Sequence, residues 1–170
     1  TKCRAVFYIT MSWYSIHMKK HKLIILILII CLGIFFRFFR LNETPLGLYP
    51  DEAMNGNNAL EARATDDYKF FYPENNGREG LFINMQGISL ALFGNEPWAL
   101  RAISGVMGTL TIFGVFLLTH ELFSQRGNKR KRSAAITIAL IAAFFTATSY
   151  WHIHFSRIGF RAIMFPLVTT

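Results

Sequence analysis

Long apolar runs alternate with charged segments bearing glycine and proline along this chain, and the run lengths set the first reading. From Leu23 to Phe36 every residue is apolar apart from Gly33. With Phe38, Phe39 and Leu41 the run reaches the roughly 20 residues needed to cross a hydrocarbon core. Residues 23–41 are therefore predicted as a first transmembrane helix, 99–123 as a second and 134–151 as a third, with 162–170 opening a fourth. The run Leu81 to Phe93 differs, being only about 13 residues long. It carries Asn84 and Gln86, is closed by Gly94, Asn95, Glu96 and Pro97, and fits an interfacial or re-entrant helix better than a span. Residues 42–98 thus form one loop with juxtamembrane helices. One of these runs from Asp51 to about Ala64, with Asp51 or Pro50 marking its start. The fold class is all-α, polytopic and membrane-embedded.

Charge orients the spans. Lys19, Lys20, His21 and Lys22 precede the first run, so residues 1–22 are predicted to be cytoplasmic. After the second run come Arg126, Lys129, Arg130, Lys131 and Arg132 with no acid between them, which makes 124–133 a second cytoplasmic loop. That assignment requires Leu81 to Phe93 to stay on the outer side. The segment 152–161 is then a second outer loop, entered past an aromatic belt at Tyr150 and Trp151. Nine of the ten acidic residues fall between Glu43 and Glu96, so the first outer loop is the acidic part of the chain.

Composition narrows the class further. With 52% hydrophobic residues and 17 phenylalanines, the chain exceeds what a water-soluble surface carries. Its net charge of +8 is concentrated at the ends of apolar runs, where it orients helices and is not a nucleic-acid footprint. Cys3 and Cys31 make no disulfide framework. The basic residues before Leu23 resemble a secretory signal, but Phe35, Phe36, Phe38 and Phe39 occupy the place of a small-residue cleavage site, which favours a retained anchor. A first residue of Thr and a last residue, Thr170, inside an apolar stretch lead us to expect a fragment of a longer polytopic protein.

Three clusters carry candidate chemistry. Asp51 and Glu52 follow Pro50 at a helix start, where a carboxylate either caps the helix or accepts a proton from an attacking hydroxyl or holds a divalent cation. Glu79 sits in the turn Gly77, Arg78, Glu79, Gly80, where glycine admits close backbone approach; its plain reading is an exposed loop acid paired with Arg78. His152, His154 and Arg157 form the third cluster. Two histidines at i and i+2 do not share a helical face, so ordinary interfacial residues are favoured over a metal site. Arg157 offers a fork of donors suited to phosphate, and Arg101 either does the same or snorkels. No Walker or dinucleotide glycine pattern is present.

The ordered motifs Arg37-Phe-Phe-Arg-Leu, Leu48-Tyr-Pro-Asp-Glu-Ala, Gly77-Arg-Glu-Gly, Leu92-Phe-Gly, Arg101-Ala-Ile-Ser-Gly and His154-Phe-Ser-Arg-Ile-Gly-Phe-Arg carry a family likeness. Over about residues 35–165 the chain resembles the N-terminal part of GT-C-fold glycosyltransferases, namely the protein O-mannosyltransferase-like and aminoarabinose-transferase-like enzymes. The resemblance implies inverting transfer of a sugar from a polyprenyl-phosphate donor to a protein, lipid or glycan acceptor, on the outer face of a bacterial or archaeal cell membrane. It makes Asp51 the catalytic carboxylate with Glu52 beside it, places Arg157 and Arg101 toward the donor phosphate, and puts Glu79 at a position that can bind a divalent metal ion. In the aminoarabinose-transferase-like members Lys and Pro follow that acid, whereas here Gly80 and Leu81 do. The different-class alternative is a non-catalytic polytopic protein, a transporter or assembly subunit, or a pseudoenzyme of the same fold.

Overall fold

The computed structural model describes residues 19–74, 77–124 and 129–170. Cys3, Arg126 and most of the basic N-terminal segment lie outside them. Seven α-helices, a two-stranded ribbon and one 3-10 turn occur among the described residues. The helices are α1 (Lys20–Phe38), α2 (Pro50–Thr65), α3 (Gly80–Phe93), α4 (Pro97–Phe123), α5 (Lys129–Thr148), α6 (Tyr150–Arg157) and α7 (Met164–Thr169). Between α2 and α3 the strands β1 (Phe71–Tyr72) and β2 (Arg78–Glu79) pair antiparallel, Phe71 opposite Glu79 and Tyr72 opposite Arg78. This small ribbon is a β element that the all-α expectation did not contain.

Three helices, Lys20–Phe38, Pro97–Phe123 and Arg130–Thr148, are long and apolar enough to cross a membrane. The chain has the architecture of a helical, membrane-embedded protein. The 14 residues of α3 rise about 21 Å at 1.5 Å each, short of a hydrocarbon core of about 30 Å.

Two hydrophobic cores divide the labour. The first lies between the three long helices and joins Leu26 and Ile29 of α1, Ile112 and Phe116 of α4, and Ile136, Ala139, Leu140, Ala143 and Ala147 of α5. The alanines at every fourth position let α5 approach its neighbours closely, the packing mode that helices use where lipid supplies no hydrophobic drive. Gly33 serves the same end, since a Cβ there would lie 2.3 Å from Ile112 Cδ1. On the opposite face of α1, Ile24, Ile27, Leu28 and Phe35 are exposed, as side chains meeting lipid are. The second core binds the loop region to the bundle: Ala59 of α2, Tyr72 of β1, Ile83 and Leu90 of α3, and Ala99 and Leu100 of α4.

The long helices run up, down and up. At one end the Lys22 ammonium donates to Ser133 O at 2.7 Å and Thr137 Oγ1 at 3.1 Å, so the basic start of α1 lies beside the basic start of α5. The buried ion pair and the other candidate site residues lie at the other end.

Candidate functional site

The helix α2 begins at Pro50, one of the two expected starts. Pro50 occupies its first position, where the missing N–H costs nothing and the fixed φ suits the helix, and Tyr49 is the N-cap. Asp51 therefore does not cap. Glu52 reaches back instead, accepting the Tyr49 amide at 3.2 Å in one half of a capping box. Successive residues on a helix point about 100° apart. Asp51 is accordingly exposed, while Glu52 is 2% exposed.

Glu52 meets Arg101 of α4, itself 1% exposed, in a paired contact: Arg101 Nε donates to Oε1 at 2.8 Å and Nη2 to Oε2 at 3.1 Å. Gly159 N–H donates to the same Oε1 at 2.9 Å. Arg101 Nη1 also donates to Pro45 O at 2.7 Å, and its Nη2 to Gly47 O. The pair is thus tied to two further segments, the 45–47 loop and the turn at Gly159.

Arg157 is placed differently. From α6 its Nη1 donates to Phe36 O and Phe39 O, each at 2.9 Å, and its Nη2 to Thr44 O at 2.8 Å. These carbonyls lie at and beyond the end of α1, where a helix leaves acceptors unpaired. Burial first, and then the nearby Arg101, push the Arg157 pKa down from its ordinary value. Arg37 performs a like task from α1. Fully buried, it donates from Nη2 to Thr146 O and from Nη1 to Ala147 O, each at 3.3 Å, and from Nη2 to His152 Nδ1 at 2.8 Å. Arg157 of α6 thus closes the end of α1, and Arg37 of α1 closes the end of α5. Burial, with the Arg37 guanidinium second, holds the His152 imidazole down to about 4, so the ring is neutral and Nδ1 accepts. His154 lies apart from it, stacked on Tyr150 at 6.0 Å between ring centres.

Glu79 does not pair with Arg78. Its carboxylate meets Arg161 Nη1 at 2.6 Å, while Arg78, 3% exposed, donates to the side-chain oxygens of Asn55 and Asn58. Strand alternation explains the exchange, because adjacent residues of β2 face opposite ways and Arg78 turns inward. No group of three or more His, Cys, Asp or Glu able to hold a metal occurs among the described residues.

An open groove of about 920 Å³ lies at this end, walled by Phe35 and Phe36 of α1, by Phe39 just past its end and by residues 42–48. Arg40, Arg101 and Arg157 line it as well, Arg40 in an ion pair with Glu43 of the same wall, and Ile153 and Pro97 complete it. Arg101 and Arg157 line this groove and Glu52 is buried behind Arg101, whereas Asp51 does not line it and Glu79 lies on the ribbon, paired with Arg161. Sequence reasoning missed Asn55, which donates to Gly159 O at 3.2 Å, and the acceptor role of His152. A polar residue facing inward on α2, in register with Glu52 one turn earlier, was the available signal for Asn55. The segment 152–157, expected as loop, is helical.

Comparison with family models, curated proteins and solved structures gave no match for the chain.

Proposed function

We propose that this chain belongs to a membrane glycosyltransferase that takes a sugar from a polyprenyl-phosphate donor and passes it, with inversion, to a protein, lipid or glycan hydroxyl. The observation that carries this reading is the groove: an aromatic wall continuous with a membrane-length helix, bordered by three arginines. An isoprenoid chain lies favourably against Phe35, Phe36 and Phe39, and a phosphate is drawn to fixed cations at that depth. Asp51 is exposed on the first turn of α2, three residues beyond the groove-lining Leu48. It serves as the base that takes the acceptor proton as the lipid phosphate leaves. The order of motifs from Arg37 to Arg161 supports the same reading, as does positive charge at the start of α1 and α5, which favours the outer face for the groove.

Reconstitution into liposomes with a polyprenyl-phosphate-linked sugar tests it. Asp51→Asn is expected to abolish transfer while donor binding persists; undiminished transfer sinks the assignment of Asp51. One observation favours a non-catalytic protein, namely that the charges of Glu52, Arg101 and Arg78 are all engaged in internal bonds. That alternative predicts no turnover from any lipid-linked sugar, together with intact folding.

A further inference from the structure

We infer that Glu52, one of the two adjacent acids, is a positioning residue that holds the wall and rim of the groove in register, leaving the acid chemistry to Asp51. Its stereochemistry decides the matter. A carboxylate offers about four lone-pair directions, and here four donors fill them: Arg101 Nε and Gly159 N on Oε1, Arg101 Nη2 and Tyr49 N on Oε2. At 2% exposure, with every direction occupied, Glu52 has no site at which to receive a substrate proton.

What the four bonds do instead is geometric. Through Arg101, Glu52 fixes the carbonyls of Pro45 and Gly47, and those residues are groove wall. Through the Gly159 amide it fixes the turn two residues after Arg157, and Asn55, one helical turn along α2, grips the carbonyl of that same glycine. The approach is close enough to require glycine there: a Cβ on residue 159 would lie 2.9 Å from Glu52 Cγ and 3.0 Å from Gln86 Nε2. A buried ion pair adds little net stability, since desolvating both charges offsets most of their attraction. Its value lies in directionality, and this one joins α2, α4, the 45–47 loop and the turn after α6 at a single point.

The consequence for binding rests on the lipid-phosphate reading, whereas the positional role does not, and the experiment separates the two. A nitroxide on Leu46→Cys, in a protein whose Cys3 and Cys31 are replaced by serine, reports motion of the 45–47 loop in nanodiscs of phosphatidylcholine and phosphatidylglycerol. Farnesyl phosphate, with farnesol as the uncharged control, probes the groove. Glu52→Gln and Arg101→Gln are each expected to mobilise the label and weaken farnesyl phosphate binding by about tenfold, and the double variant to do no more than either alone. Asp51→Asn is expected to keep the wild-type spectrum and affinity while losing sugar transfer. Glu52→Asp keeps the charge but is one methylene too short to meet Arg101 and Gly159 together; it is expected to show the same mobilisation and serves if the glutamine variant does not fold. A wild-type label spectrum and wild-type affinity in Glu52→Gln, with transfer lost, would make Glu52 a catalytic residue and overturn the proposal. Independent, additive effects of Glu52→Gln and Arg101→Gln on label mobility would overturn it as well. Should wild-type protein bind farnesyl phosphate no better than farnesol, the lipid-phosphate reading falls, and the label still decides the role of Glu52.

Discussion

Replacing Arg37 by methionine keeps most of the side-chain volume of a fully buried position and deletes its fork of donors. Three acceptors on other helices then lose their partner: Thr146 O and Ala147 O in the last turn of α5, and His152 Nδ1 on α6. The two carbonyl bonds are long, at 3.3 Å, and each contributes about 0.5 kcal/mol, whereas the 2.8 Å bond from a cation to a neutral imidazole contributes about 1.5 kcal/mol. Against this, methionine no longer has to be desolvated as a charge, which returns part of the loss. Net destabilisation of about 1–2 kcal/mol is expected, within the range that polar contacts between membrane helices reach.

Lysine at position 37 separates fork from charge. It keeps the cation but has one point of donation in place of a planar pair, so it cannot serve α5 and α6 together. Unfolding in mixed detergent micelles, followed by circular dichroism and extrapolated linearly, measures all three proteins. Both variants are expected to be destabilised, and adding His152→Ala to Arg37→Met is expected to cost less than His152→Ala does in the wild type. Wild-type stability of the lysine variant would refute the capping argument by showing that charge alone suffices. A methionine variant more stable than wild type would show that desolvation outweighs all the bonds.

The neutral state of His152 predicts an acid-sensitive fold. With a folded-state pKa of about 4 against about 6.5 unfolded, the stability is complete above pH 6.5 and declines as pH falls toward 4, by about 1–2 kcal/mol once screening of a partly exposed ring is allowed for; His152→Gln should flatten that slope in melts from pH 7.5 to 4. Gly80→Ala places a Cβ 1.9 Å from Lys69 O, backbone that cannot swing aside, and is expected to destabilise by about 2–4 kcal/mol in the same micelle assay. At Gly108 the added methyl meets Ser156 Oγ at 2.0 Å, so Gly108→Ala should cost about 1–3 kcal/mol and Ser156→Gly should recover most of it. Tyr72→Phe deletes the hydroxyl that donates to Asn84 Oδ1 at 2.9 Å, with an expected loss of about 1 kcal/mol.

What could be read beforehand follows from the range of the interaction concerned. The helix α1 was legible because its signal is local and redundant: fourteen consecutive positions from Leu23 to Phe36 say the same thing. The shortness of α3 was legible for a similar reason, since Gly80 and Gly94 bound it on both sides. The short α6 was not. Eight residues hold too few turns for periodicity to show, the polar residues past Trp151 read as the loop that follows a span, and the partner of His152, Arg37, lies 115 positions away. The same limit governs the acidic pair. Adjacent positions on a helix point about 100° apart, but which of Asp51 and Glu52 turns inward depends on Arg101, 49 residues on from Glu52, and on a glycine amide 107 residues on. Burial of a carboxylate is tolerated only where donors converge on it, and convergence is a property of packed helices, not of spacing along a chain. Two neighbouring acids that look interchangeable in sequence are for that reason the positions where the fold separates exposed chemistry from internal structure most sharply.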